Sequence, residues 1–430
     1  MRHVFVETGR CLARRITTLL LAGALLLAGC GRSDGERTVE IKFWTMQLKP
    51  TFEDYVGGLI KAWESNHPGV RVKWVDLPAN EIENKTLTAT ASGRAPDLVN
   101  LNPMFANKLA SARALVPLNL PKATLDAYFP AALEANTVAG RLIGLPWYLS
   151  TSITLYNADL WKSAGLETGS WPTTYRELAA AARTIKQKTG HYGFLPAFGD
   201  RGKCLDLFAA DHVPLLTPDG KHAAFAGPEG IQTLSFWASL FHDGVLPQEA
   251  LTQPHREGID RFQAGQIAAL PAGPQFLKMV RQNAPELYQR IGLGPQVGGA
   301  DGRVGMQVMN LVIPSASQHT DLAIDLALHV TSGASQLAFC RIVPILPSIQ
   351  VASRDPFFQA PQEAPLEDRA RALAAAQLQR ATLLVPPLYR QAELAKSLDN
   401  ALQRAVLKQQ TPQQALEQAA DEWSQILASS

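Results

Sequence analysis

Aromatic side chains stand beside the ends of predicted strands, where they could stack on a ligand. Trp44 ends an alternating run that starts at Val39, and Trp147 and Tyr148 stand at a later strand crossing. Such rings offer a flat face to the C–H groups of a sugar, which adds about 0.5–1.5 kcal/mol beyond burial. Hydroxyls then need polar partners, and each neutral hydrogen bond adds about 0.5–1.5 kcal/mol net. One stacked ring with several such bonds is compatible with micromolar binding, about 8 kcal/mol.

The sequence motifs of common enzymes are absent. There is no Gly-x-Ser-x-Gly and no His-Glu-x-x-His, and residues 199–204 lack the spacing and the hydroxyl of a phosphate-binding loop. The nine histidines form no i, i+4 pair, so a metal site could arise only through the fold. We therefore predict no enzyme activity, no metal and no cofactor. Paired carboxylates for glycoside hydrolysis stay open, since acidic residues distant in sequence can meet in a cleft.

The N-terminal residues have the pattern of a secretion signal. Residues 1–29 hold four arginines against one glutamate, and their apolar block, 16–29, has 14 residues. That is shorter than the roughly 20 residues of a membrane-spanning helix. The ending Leu27-Ala28-Gly29-Cys30 resembles the lipobox of bacterial lipoproteins, so we predict a signal peptide over 1–29, a lipidated Cys30 and a flexible tether over 30–37. A signal peptide that merely contains a cysteine is the alternative.

The net charge argues against polyanionic partners. Lys and Arg number 40 against 38 Asp and Glu, so the chain carries +2. Residues 1–29 account for +3 of this, which leaves −1 for the rest. A near-neutral body has no overall attraction to phosphate backbones or anionic lipid, so we expect no nucleic-acid partner.

Apolar periodicity indicates an α/β architecture. A chain of 430 residues is too long for one hydrophobic core, so we expect two or three domains. The spacing predicts strand, helix, strand, helix and strand at residues 39–43, 52–63, 70–74, 80–92 and 97–101. This order implies a parallel sheet with helices on its faces. Ligands bind beyond the carboxyl ends of such strands, which places 44–47 and 102–103 at the candidate site.

A second unit begins near Ser150. Residues 153–156 are strand-like, Thr174 and Glu177 form a capping box for a helix, and 231–241 have helical spacing. A short buried strand follows within 262–270. The same unit extends to the helical C-terminal region.

After Cys30 the chain has two cysteines, Cys204 and Cys340. Their separation in sequence says nothing about their distance in space. Whether they pair stays open.

Several motifs resemble one known family when they are taken in order. They are Ala95-Pro96-Asp97-Leu98-Val99, Ala114-Leu115-Val116-Pro117-Leu118, Gly144-Leu145-Pro146-Trp147, Leu155-Tyr156-Asn157-Ala158-Asp159-Leu160, Ala164-Gly165-Leu166, Trp171-Pro172-Thr173-Thr174, Phe262-x-x-Gly265-x-x-Ala268 before Gly273-Pro274, and Leu346-Pro347-Ser348. The series covers nearly all of the chain after Thr38. It resembles the family 1 extracellular solute-binding proteins, the carbohydrate-binding components of bacterial ABC importers.

The resemblance implies a two-lobed periplasmic-binding-protein fold with three hinge crossings, expected near 148–151, 270 and 314–318. We predict an N-terminal lobe of 38–148 plus 270–316 and a C-terminal lobe of 149–269 plus 317–430. The implied function is reversible binding of a neutral sugar, disaccharide or glycosylated polyol by hinge closure, followed by delivery to membrane permease subunits. The protein would be a monomer, periplasmic or extracytoplasmic, and lipid-anchored to the membrane. The alternatives are a secreted glycoside hydrolase and a binding protein for a glycerol-phosphate-type ligand.

Matching segments imply a set of ligand-binding residues: Trp44, Gln47, Asp97, Asn102, Trp147, Tyr148, Gln275, Asn310 and Arg341. The Asp97 carboxylate either contacts the ligand or has a structural role. Arg341 either reaches the cleft or forms a surface ion pair. Gln275 stands where relatives often carry an aromatic residue, which favours a small or very polar ligand.

Overall fold

The first structural unit has the predicted order of strands and helices. A computed structural model describes residues 38–167 and 169–428. The predicted signal peptide, Cys30 and the predicted tether 30–37 lie outside the described residues. The first five elements are β1 Val39–Met46, α1 Glu53–Ser65, β2 Val70–Leu77, α2 Ala79–Ala91 and β3 Leu98–Leu101. Strand β1 pairs in parallel with both β2 and β3, so the predicted βαβαβ arrangement is confirmed.

A large mixed sheet is built around this unit. Its other strands are β6 Leu145–Thr151, β11 Val304–Val312, β12 Leu346–Pro347 and β13 Ala381–Thr382. The strand order is β12-β6-β11-β3-β1-β2, with β13 beside β11. Strand β11 runs antiparallel to β3 and β6 and parallel to β13, so the sheet is mixed.

A second, smaller sheet has four strands in the order β10-β7-β9-β8. These strands are β7 Ile153–Asn157, β8 Tyr192–Phe194, β9 Ile267–Ala272 and β10 Ile291–Gly294. A separate two-stranded hairpin joins β4 Thr137–Val138 and β5 Arg141–Leu142. The α/β class with two sheets agrees with the predicted two-lobed architecture.

Helices cover both sheets. After α2 they are α3 Pro103–Ser111, α4 Lys122–Leu125, α5 Pro130–Glu134, α6 Ala158–Ser163, α7 Tyr175–Thr189, α8 Lys203–Ala210, α9 Pro228–His242, α10 His255–Gln263, α11 Phe276–Asn283, α12 Pro285–Tyr288, α13 Thr320–Val330, α14 Gly333–Cys340, α15 Leu366–Ala376, α16 Gln391–Val406 and α17 Pro412–Ala428. Short 3-10 helices lie at Gln248–Leu251, Ala352–Arg354, Pro356–Phe358 and Leu378–Arg380.

Helices pack apolar side chains against both sheets. Helix α1 buries Val56, Ile60 and Trp63 in the core of the large sheet. Leu178 of α7 and Trp237 of α9 belong to the core around the small sheet. Burial of one such side chain contributes about 1.5–3 kcal/mol. The core around the small sheet also includes side chains of β6, β11 and β12, so the packing continues from one sheet to the other.

The predicted capping box is present at the start of α7. The Thr174 hydroxyl accepts the Glu177 backbone N–H at 3.2 Å, and the Glu177 carboxylate accepts the Thr174 backbone N–H at 3.1 Å. Backbone N–H groups of Thr173 and Thr174 lower the pKa of Glu177. The box fixes where α7 begins, and therefore where Tyr175 stands.

The chain passes between the two sheets three times. It leaves β6 for β7 through Ser152, returns from β10 to β11, and leaves β13 for α16, which packs against α8 and α9. The first passage lies near the predicted one. Leu270, by contrast, pairs with Leu155 inside the small sheet, and Pro314 bridges to Leu115 just after β11.

Leu270 and Pro314 therefore do not lie between the sheets, and this corrects two of the three expected crossing positions. A short apolar strand carries no sequence signal for which sheet it joins. The residue boundaries of the two lobes stay a prediction.

The two cysteines of the described chain, Cys204 and Cys340, are both buried and free. The pairing that the sequence left open is thus not formed. Between residues 38 and 428, leaving aside 168, no helix combines the length and apolarity needed to cross a bilayer.

Candidate ligand-binding cleft

A cleft with a volume of about 650 Å³ opens where the two sheets meet. Its lining includes 150–152, at the end of β6 and on the first passage. The large-sheet side contributes 102–104, around the start of α3, and Arg303 and 305–307, around the start of β11. The opposite wall comes mainly from α8 and from 271–273 and 275–276, at the end of β9 and just after it. Small-molecule sites commonly occupy about 300–1,000 Å³, so the cleft has the size of such a site.

A charged cluster lies on the small-sheet wall. Helix α8 begins at Lys203 and carries Asp206 one turn later, and Asp200 precedes the helix. The Asp200 carboxylate accepts the backbone N–H of His255 at 3.2 Å. The Lys203 ammonium lies 6.0 Å from the centre of the Tyr175 ring. The cluster thus places donors and acceptors side by side at one wall.

The protein environment shifts the pKa values of this cluster. Burial works to lower the pKa of Lys203, yet the Tyr175 hydroxyl and the Asp206 and Asp200 carboxylates raise it overall. Limited solvation between the cleft walls raises the pKa of Asp206, although Lys203 opposes this. Burial also lowers the pKa of His255. At neutral pH we therefore take Lys203 as charged and His255 as uncharged.

Formal charges in the cleft lining cancel. The cationic side chains are Lys203 and Arg303, and the anionic ones are Asp200 and Asp206. A lining with no net charge provides hydrogen-bonding groups without attracting ions of one sign. Such a site suits an uncharged ligand with many hydroxyls.

Two half-buried aromatic rings face the cleft, and sequence analysis missed both. Tyr175 is the first residue of α7, and Phe276 is the first residue of α11. Phe276 meets the His255 ring edge-on, with ring centres 5.3 Å apart. The sequence signals were available, because Tyr175 directly follows the capping residue Thr174 and Phe276 adjoins Gln275, where relatives often carry an aromatic residue.

Two predicted residues, Asn102 and Gln275, line the cleft. The Asn102 side-chain oxygen accepts the backbone N–H of Phe105 at 2.9 Å. This bond caps α3 and leaves the amide nitrogen of Asn102 as its possible ligand donor. Gln275 is exposed beside Gly273.

Asp97 has a structural role, which the sequence analysis gave as the alternative to ligand contact. Its buried carboxylate accepts the Lys42 backbone N–H at 2.8 Å and the Ser317 hydroxyl at 2.7 Å. These bonds tie β1 and the turn after β11 to the start of β3.

Trp147 lies in the core of the large sheet and does not line the cleft. Its side chain is fully buried, with ring centres 6.3 Å from Phe43, 5.3 Å from Tyr148 and 5.7 Å from Phe339. Tyr148 in turn meets Phe339 edge-on, and burial raises the pKa of Tyr148 to about 12. This placement corrects the expectation that Trp147 and Tyr148 stack on a ligand, because neighbouring rings enclose Trp147 and the half-buried Tyr148 is not part of the cleft lining.

The remaining predicted residues also lie away from the cleft. Trp44 borders a separate surface groove against α2, of about 340 Å³. Gln47 is exposed just after β1, and Asn310 is fully buried within β11. The Arg341 guanidinium lies 3.1 Å from an Asp355 carboxylate oxygen, which is the surface ion pair considered for it.

Residues 38–167 and 169–428 contain no candidate metal site. No group of three or more His, Cys, Asp or Glu side chains there could hold a metal ion.

The chain has two main sheets, three passages between them and a cleft at their junction. This arrangement is that of a two-lobed solute-binding protein. The chain belongs to the bacterial extracellular solute-binding protein family, whose model matches residues 49–336. The predicted family and the predicted fold class are both confirmed.

Relatives of this chain include solved and curated proteins named for carbohydrates. A crystal structure from Synechococcus sp. MITs9220, described as an oligosaccharide periplasmic-binding protein, is 34% identical with a TM-score of 0.81, covering 90% of this chain and 99% of that one. The mannitol-binding protein of Pseudomonas aeruginosa is 28% identical over 64% of this chain and 65% of its own length. The galactooligosaccharide-binding protein of Bacillus subtilis is 22% identical over 95% and 96%.

Proposed function

We propose that this chain is the substrate-binding component of an ABC importer and binds a neutral sugar, disaccharide or glycosylated polyol in the inter-sheet cleft. The observation that carries the proposal is a lining without net charge that combines two aromatic rings with several hydrogen-bonding groups. The rings would cover the C–H faces of a sugar, and the polar groups would bind its hydroxyls. The names of the relatives support this ligand class.

The charge arrangement favours a neutral ligand over a phosphorylated one. Lys203 already interacts with Asp200 and Asp206. A glycerol-phosphate-type ligand would bring its anionic group near the same two carboxylates, with Arg303 as the other cation in the lining. Arginine often binds phosphate through two parallel hydrogen bonds, and the Arg303 guanidinium already lies 3.7 Å from an Asp301 carboxylate oxygen.

The cleft volume favours a ligand that the lobes enclose. A volume of about 650 Å³ lies within the range of about 300–1,000 Å³ in which proteins bury most of the surface of a small ligand. We propose that the lobes follow the two sheets, so that β9 and β10 move together with β7. Closure would then be driven by contacts that the ligand makes only when both walls reach it.

We further propose an extracytoplasmic location with a lipid anchor. Family membership supports the location, and the sequence ending at Cys30 supports the anchor. Removal of residues 1–29 would leave Cys30 lipidated and 30–37 as a short tether to the folded part. The partners would be permease subunits in the same membrane, served by a monomer.

A thermal-shift screen tests the proposed ligand class. Neutral mono- and disaccharides, polyols and glycerol 3-phosphate are added singly to the protein. We expect at least one neutral sugar or polyol to raise the melting temperature, since ligand at 100 times its Kd adds about 2.7 kcal/mol of stability. A shift with glycerol 3-phosphate alone would contradict the proposal.

The hydrolase alternative is tested on the same samples. Asp200 and Asp206 both line the cleft, and two cleft carboxylates are the minimum for glycoside hydrolysis. We expect chromatography to recover every stabilising sugar unchanged after prolonged incubation. Release of shorter products at catalytic protein concentrations would identify an enzyme.

A further inference from the structure

One buried glutamine, Gln377, joins the segments that connect the two sheets. Its amide nitrogen donates to the Ser152 carbonyl at 3.0 Å and lies 3.5 Å from the Thr151 hydroxyl. Its side-chain oxygen accepts the backbone N–H of Gln296 at 2.7 Å. Ser152 lies on the passage from β6 to β7, and Gln296 lies on the passage from β10 to β11.

Helix α15, which Gln377 follows, is fixed to the same place. The Thr151 hydroxyl donates to the Ala374 carbonyl in the last turn of α15, at 2.9 Å. Downstream of Gln377 the chain enters β13, from which the third passage departs. The Gln377 side chain therefore forms hydrogen bonds with two of the passages, and Gln377 precedes the third passage in the chain.

Burial makes these bonds important. Gln377 is 2% exposed, so loss of its amide would leave the Ser152 carbonyl and the Gln296 N–H without a side-chain partner. An unsatisfied buried group of this kind is costly, because it has lost its hydrogen bonds to water and gained none in exchange. An arrangement of the passages that keeps all these bonds is therefore strongly preferred over one that breaks them.

We propose that Gln377 is a positioning residue that sets the angle between the two lobes. It is outside the cleft lining and would act only through the backbone segments on which the lobes turn. The inference rests on the proposed hinge closure, because an angle matters only if the lobes move. Gln377 would fix the population of the binding-competent arrangement, and so the apparent affinity.

Gln336 provides a matched control. It is 1% exposed, its amide nitrogen donates to the Thr331 carbonyl at 2.8 Å and the Ser348 hydroxyl at 2.9 Å, and its oxygen accepts the Ser348 N–H at 2.6 Å. These partners lie beside the large sheet, away from the passages. Gln336→Met and Gln377→Met therefore remove similar buried bonds, with only the second at the hinge.

The test measures the distance between the lobes without ligand. Residues with a ketone side chain replace Lys61 on α1 and Lys188 on α7, which are both exposed. A nitroxide is coupled to each ketone, and pulsed electron paramagnetic resonance measures the distance between the two nitroxides. We expect Gln377→Met to shift and broaden the distance distribution. Gln336→Met should lower the melting temperature and keep the wild-type distribution.

A Gln377→Met distribution equal to that of the wild type would overturn the inference, as would an equal shift in Gln336→Met. If Gln377→Met fails to fold, Gln377→Glu is measured instead. That variant keeps the acceptor for the Gln296 N–H but faces the Ser152 carbonyl with a second oxygen, so the same shift is expected.

Failure of the proposed function would give a different result. In a separate arm, the wild-type distance is measured with each sugar and polyol of the thermal-shift panel at saturation. No change with any of them would argue against ligand-driven closure. The ligand-free comparison of the two glutamine variants would still stand, because it depends on no ligand.

Discussion

Replacing Trp147 with alanine lowers the free energy of unfolding by about 3–5 kcal/mol, the usual cost of removing a fully buried tryptophan or phenylalanine. The indole packs among Phe43, Tyr148 and Phe339 in the core of the large sheet. A smaller side chain would leave a cavity that these rings cannot refill without leaving their own contacts. Urea unfolding, followed by circular dichroism, measures the change.

Trp44→Ala is the matched control. Trp44 is half-buried at a shallow surface groove, so we expect its loss to cost about 1 kcal/mol. If Trp147→Ala unfolds like the wild type but no longer binds sugar, Trp147 contacts the ligand and its placement in the core is wrong.

Replacing Phe276 with alanine weakens ligand binding by about 10- to 100-fold, or about 1.4–2.8 kcal/mol. Phe276 forms part of the cleft wall and supports the His255 ring. Its loss would remove a face for stacking and admit water to the wall. Isothermal titration with the sugar that gives the largest thermal shift measures the affinity.

Phe236→Ala controls for general damage to the apolar core against which both phenylalanines pack. Phe236 is also half-buried, with the Arg176 guanidinium 4.7 Å from its ring centre, and it does not line the cleft. We expect unchanged affinity for this variant. Equal losses in both variants, or none in either, would show that Phe276 is not part of the binding surface.

Sequence periodicity predicted β1 and α1 well because each of them buries one face. The alternation at Ile41 and Phe43 and the helical spacing at Val56, Ile60 and Trp63 all correspond to buried side chains. The capping box at Thr174 was equally readable, because its two bonds form between residues three apart.

The site was harder to predict because its residues meet only through the arrangement of the two sheets. A tryptophan next to a strand end has the same sequence pattern whether it faces a cleft or a core. For Trp147 the deciding contacts come from Phe43 and Phe339, which are distant in sequence. Lys203 and Phe276 reach one cleft from α8 and α11, and no local pattern joins them.

The most direct test of the central claim is a crystal structure of the protein with the neutral sugar that the thermal-shift screen identifies. We predict an intact sugar between the two sheets, with a ring against Tyr175 or Phe276 and hydroxyls bonded to Lys203 and Asp206. An empty cleft with the sugar bound elsewhere, such as the groove beside Trp44, would contradict the account. So would a cleaved sugar in the cleft.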